Sequence, residues 1–347
     1  LDSLKGVTIL DISRLLPGGY ASLLLCELGA TVIKVEQPGV GDYYRALTAD
    51  GQGLLASHTR VIHQGKQSLG LDLKTPEGKA VFKKLVRKAD VVLESFRPGV
   101  LKKLKLDYSV LKKVKPSIIL CSITGFGQTG PRSSLAGHDL NFLGLSGLLT
   151  KIRDQEGQCV IPDVQVTDLA AGMEAALKIS AALYKRKKTK KGCWIDCSMI
   201  GAGYSFSRFC NFEKGPSVVS GGLIRYGVYE TSDGRLVTLG ALEEKFWSKF
   251  CHLIGHPAWI EASAGLRFLG EENREELRRI FRSKSLDQWT AFGLKEDICL
   301  FPVEEAIDLG RFSKKSPRLG EQTARILASI GYRPRDRREL KKKGVIE

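Results

Sequence analysis

The sequence predicts an α/β protein in which a doubly wound parallel sheet is followed by a smaller α+β unit. Three features of its 347 residues carry this reading. Apolar runs of strand length alternate with amphipathic helical segments through the first third of the chain. A hairpin pattern, "YGVYETSDGRLVTLGAL" (226–242), opens a second unit, with Ser232, Asp233 and Gly234 at its turn. A helical tail, "SPRLGEQTARILASIGY" (316–332), closes the chain.

The elements follow in order. "GVTILDIS" (6–13) is a strand, "GGYASLLLCELG" (18–29) a helix with a small first turn, and "TVIKVEQPG" (31–39) the next strand. "SLGLDLK" (68–74) is a third strand. The helix "TPEGKAVFKKLVRKA" (75–89) comes next, with Thr75 suited to the N-cap and Pro76 to the first helical position. Strand "DVVLESF" (90–96), two short helices in 98–106 and 107–116, and strand "SIILCSIT" (117–124) complete the alternation. Helices are expected over 139–149 and 168–185, and "GCWIDCSMIGAG" (192–203) reads as a strand running into a small-residue helix. Three further helices are expected from 243–255, 274–283 and 285–297. The implied organisation is a large domain over 1–190, a linker over 191–224, a small α+β domain over 225–310 and a C-terminal segment over 311–347. In an open parallel sheet of this kind a ligand sits beyond the carboxyl ends of the strands.

Composition narrows the function. The apolar and charged fractions, 43% and 27%, are those of a globular protein, and no apolar run approaches the length of a membrane span. The opening "LDSLKGVTILDIS" has no basic segment leading into a hydrophobic block, so no secretory leader is expected. Eight scattered cysteines, mostly inside apolar runs such as "SLLLCELGA", fit buried free thiols in a reducing, cytoplasmic setting. Cys193 and Cys197 are spaced as a metal pair could be, but no second Cys/His pair accompanies them, and no metal is expected. The net charge of +16 comes from lysine-rich helix faces and the run "YKRKKTKKG" (184–192). Without interleaved aromatics or a reading motif it points to a solvated surface or an anionic small ligand, not to nucleic acid.

Two short motifs fail on context. "GFGQTG" (125–130) has the glycine spacing of a dinucleotide loop, but Pro131 and "RSSLAG" follow where a helix must open. The nucleophile elbow G-x-S-x-G is absent around the serines. His138, one of only five histidines, stands with Asp139 in front of an apolar run in "AGHDLNFLGLSGLL" (136–149). Asp168 opens a helical segment, where a carboxylate caps the helix or faces a ligand beside free N–H donors; such donors could stabilise an oxyanion.

These segments together resemble a known family. "LKGVTILDISRLLPGGYASLLLCELGATVIKVEQPGVGD", "LGLDLKTPEG", "ADVVLESFRPGV", "ITGFGQTGP" and the closing "SPRLGEQTARILASIGY" resemble the family III CoA-transferases of the CaiB/BaiF type, which include the α-methylacyl-CoA racemases. The segment around His138 is closest to the racemase branch. The resemblance implies a Rossmann-like first domain, a C-terminal segment returning to it, and an interlocked homodimer. It implies an acyl-CoA thioester as substrate, with coenzyme A part of that substrate and no tightly bound cofactor. It assigns catalysis to His138 and Asp168, with Glu243 from "LGALEEKFW" orienting His138 across the dimer. CoA contacts are implied for Gln37 (an arginine in many members), Leu71, Asp72, Leu73, Lys74, Ser95, Phe96, Arg97, Lys103, Gly125, Phe126, Gly127 and Gly137. The expected reaction is inversion of the α-carbon of a 2-methyl-branched acyl-CoA by two bases through an enolate, with backbone N–H groups of the Asp168 helix steadying the thioester oxygen. The alternative is CoA transfer through an Asp168 mixed anhydride.

Overall fold

The computed structural model describes residues 2–46, 54–154, 157–210, 218–304 and 314–347. They form β1 (Thr8–Asp11), α1 (Leu15–Glu27), β2 (Thr31–Glu36), α2 (Tyr43–Ala46), α3 (Leu54–Ile62), β3 (Gln67–Gly70), α4 (Pro76–Lys88) and β4 (Val91–Glu94). Next come α5 (Val100–Leu104), α6 (Tyr108–Val114), β5 (Ile119–Thr124), α7 (Asp139–Leu145), α8 (Val166–Thr189), β6 (Trp194–Ser198) and α9 (Met199–Ser207). The remainder is β7 (Tyr226–Glu230), β8 (Leu236–Gly240), α10 (Glu244–Leu253), α11 (Ala258–Ala262), α12 (Glu271–Phe281), α13 (Leu286–Glu296), β9 (Leu300–Pro302), α14 (Thr323–Ser329) and α15 (Pro334–Lys342).

The chain divides into two compact units, Leu1–Cys210 with Phe312–Glu347, and Asn211–Arg311. In the first, six parallel strands run in the order β3-β2-β1-β4-β5-β6. Strand residues alternate between two helix layers, as the two-residue period requires. Leu10, Val92 and Leu120 pack with Val81, Phe82 and Leu85 of α4, Leu111 of α6 and Leu327 of α14. Ile9, Leu93 and Cys121 pack on the other face with Ala21 and Leu25 of α1 and Ala171, Ala175 and Ile179 of α8. This is the doubly wound arrangement, and the order reverses between β1 and β4.

Residues 314–347 pack on this unit: Ile346 bridges to Leu71, and Gln322 Oε1 accepts from Ser68 N at 2.7 Å. The second unit is an antiparallel sheet, β7-β8-β9, over a core that includes Trp247, Phe250, Phe281 and Trp289. Its hairpin turns at 232–234, with Gly234 at φ 73° and Thr231 N donating to Arg235 O.

Several boundaries differ from expectation. Residues 194–207, placed in a linker, form β6 and α9 of the parallel unit, because Ile123 pairs with Cys197 in the sheet. The other end of that linker and the junction at 310/311 touch 211–217 and 305–313, which lie outside the described residues. α1 starts at Leu15, so Pro17 falls in its first turn, where a missing N–H costs nothing. The helix expected over 139–149 stops at Ser146, because Gly147 turns left-handed at φ 82°. α2, α3, α11, β9 and α15 are not among the expected elements.

Candidate active site

A cleft of about 710 Å³ opens in the first unit and includes the ends of β1, β2 and β4 in its walls. Among the expected residues, Gln37, Leu71, Asp72, Leu73, Lys74, Ser95, Phe96, Arg97, Gly125, Gly137, His138 and Asp168 line it. Lys103, Phe126 and Gly127 do not. Glu243 lies in the second unit, exposed, at the residue before α10. Arg14, Leu15, Pro17, Lys34, Tyr43, Leu135, Phe142 and Met199 also line the cleft and were missed. Arg14, Leu15, Pro17, Lys34 and Phe142 lie in segments that carry the family resemblance, but no pattern singled them out, and folding brings the eight together from five separate segments.

Asp168 is not the N-cap of its helix. α8 begins at Val166 after Gln165, and Asp168 sits within the first turn. The cap comes from another element: Asp139 Oδ1 accepts from Thr167 N at 2.7 Å, Asp168 N at 2.9 Å and Thr167 Oγ1 at 2.5 Å. The first-turn N–H groups expected to steady an oxyanion are therefore already used. The same arrangement frees the Asp168 side chain. It is buried, 7% exposed, and among the described residues its Oδ1 has no hydrogen-bond partner. Burial, reinforced by the Asp139 charge, raises its pKa to about 7. One helical turn on, Gly172 lets α8 press against α1, since a Cβ there would stand 2.8 Å from the Pro17 carbonyl oxygen.

His138 precedes α7, exposed on the cleft wall, and its backbone N donates to Asn141 Oδ1 at 3.0 Å. Asp139 thus follows His138 in sequence and binds the helix carrying Asp168, so one carboxylate sets the relation between the two. The glycines nearby have a packing role. A Cβ at Gly125 or Gly137 would come within 2.6 or 2.9 Å of the Phe142 ring, which Phe126 meets edge-on at 5.3 Å. Gly127, at φ 88°, carries the turn that lets Gln128 N donate to Asp196 Oδ2.

Under the cleft lies a buried charge cluster. Lys34 Nζ is 3.0 Å from Asp42 Oδ2 and 3.4 Å from Asp11 Oδ1, and donates to Ser13 O at 2.6 Å. Lys66 Nζ is 3.7 Å from Asp11 Oδ2 and donates to Gly19 O and Ser22 Oγ. Burial opposes the Lys34 charge, but Asp11, Asp42 and Glu36 outweigh it and hold its pKa above the usual lysine value. For Lys66 burial wins and lowers the pKa to about 8. Asp42 Oδ1 also accepts from Leu15 N at 3.2 Å, tying the cluster to the start of α1. The signal available in sequence was a charged residue inside each of two apolar strands, "TILD" and "TVIKVE".

Among the described residues no group of three metal-binding side chains occurs, and no helix is long and apolar enough to cross a membrane. All eight cysteines are unpaired.

A doubly wound domain with a carboxyl group and a histidine on one cleft wall defines an α/β enzyme class. The CoA-transferase family III model matches residues 4–315, and the chain belongs to that family. It is 35% identical to a succinyl-CoA:glutarate CoA-transferase of Mus musculus, over 86% of this chain and 69% of that protein. It is 30% identical to an alpha-methylacyl-CoA racemase of Homo sapiens, over 99% of this chain and 98% of that protein. A CAIB/BAIF family protein from Brucella suis has the same fold, with TM-score 0.78 and 26% identity, over 94% of this chain and 99% of that one. The protein is therefore an enzyme of the type that acts on CoA thioesters.

Proposed function

We propose that the enzyme moves CoA between carboxylic acids with Asp168 as nucleophile. The observation that carries this reading is the Asp168 carboxyl itself, buried on the cleft wall with Oδ1 unpartnered. Once ionised, a buried carboxylate that lines the cleft and has one oxygen unpartnered among the described residues is available to attack a thioester carbonyl there. In the proposed cycle ionised Asp168 attacks the thioester carbonyl and expels CoA thiolate, leaving an aspartyl–acyl anhydride. The thiolate attacks the aspartyl carbonyl, releases the donor carboxylate and leaves CoA as a thioester on Asp168. The acceptor carboxylate then attacks that thioester, and the released thiolate takes the acceptor's acyl carbonyl, which frees Asp168. Relatives at 35% and 34% identity named as succinyl-CoA:glutarate CoA-transferases support this reading. Gln37, Leu71 to Lys74 and Ser95 to Arg97 would hold the CoA moiety, with Lys74 and Arg97 facing its phosphates.

A second reading, racemisation of a 2-methylacyl-CoA, is favoured by His138 and Asp168 lining the same cleft. There one group would take the α-proton and the other return one to the opposite face. A single enantiomer of a 2-methylacyl-CoA in heavy water, with and without an acceptor carboxylate, separates the two. CoA should move to the acceptor without deuterium at the α-carbon, and His138→Ala should keep activity within about tenfold, since anhydride formation needs no base there. Deuterium entry with inversion, lost by about 10²–10⁴-fold in His138→Ala, would put the racemase in its place.

A homodimer belongs to the same proposal, with Glu243 of a second copy serving His138. It is supported by an apolar stripe on α8, where Met173, Leu177 and Tyr184 are exposed at helical spacing in the single chain. Sedimentation should show a dimer at micromolar concentration, and a fully active monomer would refute it.

A further inference from the structure

We infer that Arg14 is an additional anion-binding residue of the cleft, set to hold a phosphate group of CoA. The inference rests on the reading of the cleft as a CoA site. Arg14 follows β1 at the point where the strand order reverses between β1 and β4, the crevice in which open parallel sheets bind ligands. Its backbone is clamped to the end of β4: Arg14 N donates to Ser95 Oγ at 2.8 Å, and Ser95 Oγ donates to Arg14 O at 3.1 Å.

The side chain is held as firmly. The guanidinium carbon lies 4.6 Å from the centre of the Tyr43 ring and 5.3 Å from that of Phe96, and Nη1 donates to the Tyr43 hydroxyl. Among the described residues that hydroxyl is its one side-chain hydrogen-bond partner, and no carboxylate pairs with it. The other cations near the ends of β1 and β2 are different: Lys34 is matched by Asp11 and Asp42, and Arg45 by Glu36. Among the described residues Arg14 therefore has no charge partner, and two rings lie against its guanidinium in the cleft.

A guanidinium has five donors in one plane; with Nη1 on the Tyr43 hydroxyl, the Nε and Nη2 edge has no partner among the described residues and could meet two oxygens of one phosphate. Because the rings have already ordered the side chain, little conformational freedom is lost on binding. The position favours phosphate over a carboxylate of the acyl group: Phe96, one of the two rings against Arg14, is next to Arg97, and Arg97 and Lys74 line the same cleft. A site with three cations suits the multiply charged end of CoA.

The test measures affinities of wild type, Arg14→Gln and Arg14→Lys for CoA, dephospho-CoA, 4′-phosphopantetheine and pantetheine. Arg14→Gln should weaken CoA by about 10–100-fold, the value of a charged hydrogen-bonded contact, and leave pantetheine unchanged. Arg14→Lys should recover only part of the loss, because an ammonium cannot present the planar fork. A loss that persists with dephospho-CoA and phosphopantetheine assigns the contact to the diphosphate end, and one confined to CoA assigns it to the 3′-phosphate. Unchanged pantetheine affinity also reports that the variant is folded. Arg14→Gln binding CoA within twofold of wild type, or losing pantetheine by the same factor as CoA, overturns the inference. Wild type binding no CoA at all overturns the CoA reading of the cleft as well.

Discussion

Asp168→Asn should remove turnover by about 10⁴-fold or more, the scale seen when a nucleophile is lost and the rest of a site is kept. Asparagine keeps the volume and can still sit in the first turn of α8, so the cleft survives while its attacking oxygen does not. On the proposed transferase reading the reactive form in the wild type is the ionised carboxylate. Its pKa of about 7 predicts a rate that rises with pH through neutrality and levels off above it. A rate independent of pH between 5 and 8, or an active Asp168→Asn, would remove Asp168 from the chemistry. The same burial has a consequence for stability. The folded pKa lies above the unfolded value of about 3.9, so the native state holds more protons than the unfolded chain between about pH 4 and 7. Stability from this group is therefore greatest below that window and falls as pH rises through it. Asp168→Asn, which cannot ionise, should match wild type near pH 4 and exceed it at pH 8 by on the order of 4 kcal/mol. Thermal or urea unfolding at the two pH values reads the difference directly. An equal gap at both would show that the carboxylate is not desolvated.

Lys34→Met should destabilise the protein by about 3–5 kcal/mol, a large part of the 5–15 kcal/mol typical of a folded domain. Lys34 is 1% exposed and lies between Asp11 and Asp42, which are themselves buried. Methionine fills similar space and removes one positive charge, which leaves Lys66 alone near two carboxylates. The cost is that of the uncompensated charge rather than of the lost ion pair. Adding Asp42→Asn to Lys34→Met should restore part of the loss, and the non-additivity measures the pair. The cluster also makes stability sensitive to acid. The Asp11 pKa is lowered, because Lys34, Lys66 and two hydroxyls overcome its burial, so its contribution holds above the ordinary aspartate range and is lost as pH falls through its folded value. A Lys34→Met variant with an unchanged urea midpoint would show that the cluster rearranges at no cost.

Much of the architecture was legible before any coordinates. The apolar runs at 6–13, 31–39, 90–96 and 117–124 and the helix at 75–89 identified themselves because their determinants are local. Strand length, the 3.6-residue period and the Thr75-Pro76 start all lie within a few residues of one another. His138 and Asp168 were singled out by the resemblance of their segments to the family, and both line the cleft. What the sequence did not disclose is how Asp168 is exposed to chemistry. A residue opening a helical segment reads as a cap, yet the cap is Asp139, 29 positions earlier. Arg14 likewise looks like any polar residue after a strand until Tyr43 and Phe96 close on it. Lys34 looks like an interruption in an apolar strand until Asp11 and Asp42 neutralise it. In each case the deciding partner lies far along the chain. Local composition determines which elements form, because helix and strand propensities act over a few residues. Tertiary packing alone decided which polar groups are satisfied and which, like Asp168 Oδ1, have no partner among the described residues, because burial and charge pairing depend on neighbours that only folding brings together.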